Sequence, residues 1–169
     1  VVPATEMIRR LRAAVSARRD PNFIVCARTD AADVEGLPAA IDRAKAYADA
    51  GADLIFTEAL RTPGEFERFR AAVDRPLLAN MTEFGKSPLL SAEQLSDIGY
   101  NVVIYPVTTL RLAMHAVEAG LREIAETGTQ SGLVHRMQHR GRLYELLRYA
   151  DYSQFDSEIY NFARQGVTQ

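Results

Sequence analysis

Three arginines stand where this chain could seize an anion. Arg28 falls in the run IVCARTDA, Arg111 follows YPVTTL, and Arg140 lies in MQHRGRLYELL. A guanidinium is a rigid fork that holds a carboxylate through two parallel hydrogen bonds, so the set suits a di- or tricarboxylate ligand. The plain alternative is an internal ion pair, with Asp30 or Glu58 as the partner of Arg28, because an arginine at an inward strand end needs an anion of some kind. Glu58, the only carboxylate at its strand end, reads either as that partner or as a charge near a cation, reached through water as hard cations often prefer. Asn80 and Thr82 are two apart on one strand, share a face, and offer neutral donors to a carboxylate. On residues alone, hydrogen bonds to neighbouring loops are their simpler reading.

Other reactive side chains carry less. His135 and His139 are spaced i, i+4, but HRMQH lacks the glutamate of the zinc-protease motif, so a solvated face is expected. His115 reads as a helix-surface or subunit-contact residue. Cys26 has the parity of Arg28 and reads as a small buried hydrophobe; as the single cysteine it forms no internal disulfide, which fits a reducing cytoplasm. Phe56, Ile104 and Pro106 read as core residues.

The elements that must position these groups are legible from pattern. Phe23 to Ala27, Asp53 to Phe56, Pro76 to Met81 and Asn101 to Tyr105 are apolar on consecutive residues, as in strands of a parallel sheet buried on both faces. Helical segments alternate with them. Thr62, Pro63 and Glu65 announce one helix, Ser91 and Gln94 another, and Gly51 and Gly99 sit where helices should stop. Met7, Leu11 and Val15 mark an opening helix; Leu110, Ala113, Met114, Val117, Leu121 and Ile124 line one face of a later one, ending at Gly128. The order is a helix followed by four strand-helix units over residues 1–128. Residues 129–169 show no strand but two short helical stretches rich in aromatics, read as a helical extension that packs on the domain or on a neighbouring subunit.

Composition narrows the class. Hydrophobic residues make up 47% and charged residues 25%, as in an ordinary globular domain. Lysine plus arginine total 20 against 22 acidic residues, so no basic footprint for nucleic acid exists. No apolar run approaches the ~18 to 20 residues of a membrane span. The chain opens at Val1 inside a helix, so the expectation is a piece of something longer.

Repeated βα units fit an open doubly wound sheet or a (β/α)8 barrel. The first junction, ARTDAADVEG, lacks the closely spaced glycines of a dinucleotide-binding turn. Every strand also ends on polar or special residues, where barrels carry their chemistry. The expected fold is therefore α/β of the (β/α)8 TIM-barrel type, with this chain holding roughly the second half.

IVCARTDA, LIFTEA, LLANMTEFGKSPLLS, VVIYPVTTLR, GTQ and MQHRGRLYELL, in that order over essentially the whole chain, resemble the isocitrate lyase and phosphoenolpyruvate mutase superfamily, and most closely its 2-methylisocitrate lyases. The resemblance implies Mg2+-dependent cleavage of 2-methylisocitrate to pyruvate and succinate in the methylcitrate cycle of propionate breakdown, with Mn2+ as an alternative cation. It implies substrate contacts by Arg28, Glu58, Asn80, the Met81 backbone, Thr82, Arg111 and Arg140, with Glu58 meeting the metal through water. Phe56, Ile104 and Pro106 would border the pocket for the extra methyl group. The family's metal-binding aspartates and its catalytic loop cysteine, in a KKCGH-type motif, match no position here, and Cys26 is mid-strand. The chain alone is accordingly expected to be inactive. The resemblance also implies a homo-oligomer, a tetramer in this family, built through the C-terminal helices, with a small carboxylate substrate and neither nucleic acid nor membrane as partner. The alternatives are related chemistry, namely carboxyphosphonoenolpyruvate or phosphoenolpyruvate mutase, oxaloacetate hydrolase or isocitrate lyase, or an inactive truncated or pseudoenzyme fragment.

Overall fold

The computed structural model describes the backbone of residues 1–165 and the side chains of residues 1–161. Phe162, one of the aromatics of the C-terminal stretch, lies outside the described side chains. The chain divides into two compact units, Val1–Ala113 and Met114–Gln169.

The first unit opens with α1 (Ala4–Ala17), followed by β1 (Cys26–Thr29), α2 (Ala31–Val34), α3 (Leu37–Asp49), β2 (Leu54–Thr57), α4 (Pro63–Ala72), β3 (Leu77–Asn80), α5 (Ala92–Ile98) and β4 (Val102–Ile104). Helix α6 (Thr108–Thr127) begins here and continues into the second unit. Local chemistry sets the helix ends. The Thr62 hydroxyl accepts from the Glu65 amide at the start of α4, and Ser91 with Gln94 closes a full capping box on α5. Gly99 ends α5 in the left-handed region at φ 101°, where a side chain would be strained and would also crowd Arg70.

The four strands form one parallel sheet in sequential order β1-β2-β3-β4, as a run of βα units requires. Register aligns Arg28 with Phe56, Phe56 with Leu78, and Leu78 with Val102. One residue further in each pleat, Ala27, Ile55, Leu77 and Ala79 turn to the other face and join Phe66, Phe69, Leu95 and Tyr47 in the core between sheet and helices. The sheet is a partial barrel with its helices on the outside.

Three expectations are corrected here. β1 and β2 alternate in burial, so they are not buried on both faces, and Cys26 and Arg28 on the inner face of β1 are exposed. For the same reason Cys26 is exposed and not a buried hydrophobe, although partial burial still raises its thiol pKa. The first strand also starts later than the apolar run suggests. Phe23 and Ile24 are exposed, and pairing begins only where Asp53 meets Val25, whose amide donates to the Asp53 carboxylate at 2.9 Å. Arg18 braces this corner, donating to Asp53 at 2.8 Å and to the Phe23 carbonyl at 3.1 Å. The short helix α2 carries no apolar period and is invisible in the sequence.

The second unit holds the rest of α6, a 3-10 helix (Ser131–Arg136), α7 (Arg140–Leu146) and α8 (Tyr149–Gln165). Tyr144 and Tyr149 stack with ring centroids 4.7 Å apart across the α7–α8 junction. His135 and His139 do not share a helical face. His135 ends the 3-10 helix, whereas His139 caps α7, its Nδ1 accepting from the Gly141 amide at 3.2 Å. Among the described residues no helix is long and apolar enough to cross a membrane.

Candidate functional site

At the C-terminal ends of the strands the register brings polar groups side by side. Glu58 follows Thr57, which pairs with Ala79, so Glu58 and Asn80 are neighbours on the inner face, with Arg28 one layer below. The side chains meet accordingly. Arg28 donates from Nε and Nη2 to the two oxygens of Asp30, at 3.0 and 2.8 Å, and its Nη2 lies 3.3 Å from Glu58 Oε2. Asn80 Nδ2 donates to the same Glu58 oxygen at 3.3 Å. The Arg28 guanidinium also lies over the Phe56 ring, 4.8 Å from its centroid, a cation–π contact between the expected anion binder and the expected pocket wall.

The electrostatics follow from this pairing. The hydrogen bonds from Arg28 hold the Asp30 carboxyl below the usual range, and Asp30 in turn raises Arg28. Burial without a partner falls on one atom: Asn80 Oδ1 is a buried acceptor with no hydrogen bond among the described residues. Such an atom asks for an external O–H or N–H donor.

The sign of the Asp30 shift gives a pH expectation. A carboxyl whose folded pKa is depressed contributes stability that is full above its unfolded value of about 4 and is lost as pH falls through the lower folded value. Asp30 should therefore add a constant stabilisation and no pH dependence to the melting temperature between pH 8 and 5, and the melting temperature should fall below about pH 4, with a shallower acid limb in Asp30→Asn. Thermal melts of the two proteins from pH 8 to 2 check this, and parallel acid limbs would contradict it.

Loops beyond the strands add a second cluster. Glu83 and Phe84 follow Thr82 on the β3–α5 connection, and Arg111 comes from the first turns of α6. Arg111 Nη1 donates to the Glu83 carbonyl at 2.7 Å and to its Oε2 at 2.6 Å, while Thr108 Oγ1 donates to Glu83 Oε1. The Thr108 hydrogen bond, together with the carboxylate's own backbone amide, lowers the Glu83 pKa. Phe84 lies under Arg111 at 5.2 Å. Asp33 on α2 accepts from Arg61 and from Lys86, tying three strand-to-helix connections together.

Of the residues expected to bind ligand, Arg28, Glu58 and Asn80 come together, and Phe56 and Ile104 stand on the same inner face. Thr82 is half-buried just past β3, and Pro106 is exposed in the β4–α6 connection. The Met81 side chain is in the core, its sulfur accepting from the Leu90 amide, and its own amide donates to the Ile104 carbonyl at 2.9 Å. Arg111 sits with Glu83, and Arg140 opens α7 in the second unit. Sequence reasoning missed Glu83, Phe84 and Asp33. Glu83 stands in the same NMTEFG run, but nothing in its spacing shows which cation it meets. Ala59 and Phe84, at φ 62° and 60°, are non-glycine residues in the left-handed region beside the site, where backbone strain tends to collect.

The phosphoenolpyruvate phosphomutase family profile matches residues 1–125. The chain is 66% identical over 165 residues to a probable 2-methylisocitrate lyase of Corynebacterium glutamicum, covering 97% of this chain and 54% of that protein. Among solved structures it is similar to oxaloacetate acetylhydrolase in complex with 3,3-difluorooxalacetate, at 30% identity and a TM-score of 0.84, covering 94% of this chain and 54% of the other. Phosphonopyruvate hydrolase in complex with oxalate and Mg2+ is similar at 25% identity and a TM-score of 0.81, over 93% of this chain and 56% of the other. The chain spans about half the length of the curated relatives it matches.

Proposed function

The chain belongs to the phosphoenolpyruvate phosphomutase family, in the superfamily that also holds isocitrate lyase, and from that premise we propose that it carries half of the active site of a 2-methylisocitrate lyase. The reaction is retro-aldol cleavage to pyruvate and succinate: the substrate hydroxyl loses its proton, the carbon–carbon bond breaks, and the electron pair left on the succinate fragment takes up a proton. The observation that carries this reading is the Arg28–Glu58–Asn80 cluster on the inner face, in a chain two-thirds identical to a protein of that name.

Negative charge accumulates on the succinate side as the bond breaks, where fixed donors count most. Arg28, Asn80, Thr82 and Arg111 of the first unit hold the substrate carboxylates, and Arg140 is assigned to them by the family resemblance alone. Phe56, Ile104 and Pro106 line the wall that meets the extra methyl group, worth ~1 to 3 kcal/mol of discrimination over isocitrate.

Mg2+, or Mn2+ in its place, fits the residues present in one respect. Glu58 and the unpaired Asn80 Oδ1 are adjacent acceptors suited to the waters of a hydrated cation. Among the described residues no three His, Cys, Asp or Glu side chains cluster to bind a metal directly, so this chain's contribution is Glu58 through water. When bound, the cation lowers the cost of negative charge on the substrate oxygens. The protein works in a reducing cytoplasm, as its single cysteine suits, and assembles as a homo-oligomer through its C-terminal helices, whose Tyr152, Phe155 and Tyr160 are exposed.

Turnover requires the barrel to be completed, because Cys26 and Arg28 on the inner face of β1 are exposed and the outer edges of β1 and β4 have no partner strand among the described residues. A second reading, hydrolysis of oxaloacetate, is favoured by the likeness to oxaloacetate acetylhydrolase. The deciding assay measures, with Mg2+, release of pyruvate from 2-methylisocitrate, of glyoxylate from isocitrate and of oxalate from oxaloacetate, for the 169-residue chain alone and for the chain co-expressed with the complementary half of the Corynebacterium relative. The expected result is background for the chain alone and turnover of 2-methylisocitrate by the pair, about 10- to 200-fold above isocitrate. Faster oxaloacetate cleavage would favour the second reading, and robust turnover by the chain alone would refute the half-site.

A further inference from the structure

We propose that Glu83 is a positioning residue for Arg111: with Thr108 and Phe84 it clamps one end of the guanidinium and leaves the Nε–Nη2 edge as a preset receptor for a substrate carboxylate. The proposal deepens the reading above and rests on it.

A guanidinium binds a carboxylate best along an edge that presents two parallel N–H groups. Arg28 spends its Nε–Nη2 edge on Asp30, and Arg43 spends the same edge on Glu35, at 2.7 and 2.6 Å. Arg111 differs. Both of its contacts to Glu83, one to the carbonyl and one to the carboxylate, run through Nη1 alone. Its Nε and Nη2 have no partner among the described residues. The other carboxylate oxygen of Glu83 is occupied by the Thr108 hydroxyl, so the clamp is itself held from α6.

Phe84 supports the same conclusion independently. Its side chain is 94% exposed and its backbone is in the left-handed region, two costs that core packing does not repay. Its ring lies beneath the Arg111 guanidinium carbon, 5.2 Å from the ring centroid. A cation gripped at one end and set over an aromatic ring has lost part of the rotamer freedom that ligand binding would otherwise have to remove. The opposing idea is that Glu83 merely neutralises Arg111 and competes with an incoming carboxylate, in which case removing it would tighten binding.

Titrating the 15N-labelled 169-residue chain with succinate, following the Arg111 Nε–H resonance assigned through Arg111→Lys, separates the two. The wild type is expected to show a saturable shift that weakens about tenfold in Glu83→Ala, in line with the sensitivity of oriented contacts to misplacement. Glu83→Gln, which keeps an oxygen for Nη1, should stay within about threefold of wild type, a rescue that a merely structural role would not produce. Phe84→Ala removes a side chain that contributes nothing to the core, so it folds, and it should weaken binding about threefold. Unchanged or tighter succinate binding in Glu83→Ala would overturn the clamp while leaving the dicarboxylate reading intact. A wild type with no saturable response to succinate, oxalate or pyruvate would overturn both.

Discussion

On the proposed function, replacing Arg28 by alanine is expected to lower kcat/KM for 2-methylisocitrate about a thousandfold in the completed barrel, with Arg28→Lys recovering little of it. The size follows from what the guanidinium holds. It binds Asp30 through two hydrogen bonds, lies 3.3 Å from Glu58, and covers the Phe56 ring. Without it, two carboxylates face each other across the inner layer with no cation between them, so the variant loses a donor and also repels the substrate's own carboxylates. Lysine restores the charge, but its ammonium cannot reproduce the two-pronged bond or the flat contact with Phe56. Steady-state pyruvate release measures the effect. A loss below about tenfold would mean that Arg28 is an internal ion-pair residue and no more.

Replacing Phe66 by alanine destabilises the first unit by about 3 to 5 kcal/mol, enough to remove much of the stability of an ordinary domain. Phe66 is 1% exposed at the centre of the core between sheet and helices. Its ring packs on Tyr100 with centroids 5.3 Å apart and planes tilted by 55°, and the Tyr100 hydroxyl meets Thr57 Oγ1 at 3.2 Å inside the same core. Burial pushes the Tyr100 hydroxyl pKa up, so the phenol stays neutral and the hydrogen bond persists through alkaline pH. Removing Phe66 leaves a cavity beside that bond and loosens β2 immediately before Glu58. Urea unfolding followed by circular dichroism checks the value, and a change under about 1 kcal/mol would show that the site relaxes around the cavity.

Much of the fold was legible because it rests on local rules. Thr62, Pro63 and Glu65, the Ser91–Gln94 box, and the glycines at 51 and 99 mark helix ends by chemistry confined to a few residues, and each does so in the structure. The four strands were found from apolar runs, but their limits were not. A strand begins where a neighbour offers hydrogen-bond partners, which is why FIVCA yields a strand only from Cys26. Burial on both faces was over-read from the same runs, since an apolar inner face reveals the need for a cover without showing what supplies it.

At the site, sequence alone determined the inventory: forked cations, one carboxylate at a strand end, and neutral donors two residues apart, a set whose chemistry suits carboxylate ligands or internal ion pairs. The tertiary structure decided the pairing. Arg28 and Glu58 are thirty residues apart in the chain and meet because parallel register stacks Arg28, Phe56 and Leu78 across three strands. Glu83 and Arg111 meet because the β3–α5 connection folds over the start of α6. Residue types set which bonds are chemically available. Which of them form is set by inter-strand register and loop closure, which depend on contacts between residues far apart in sequence and so leave no local periodicity to read.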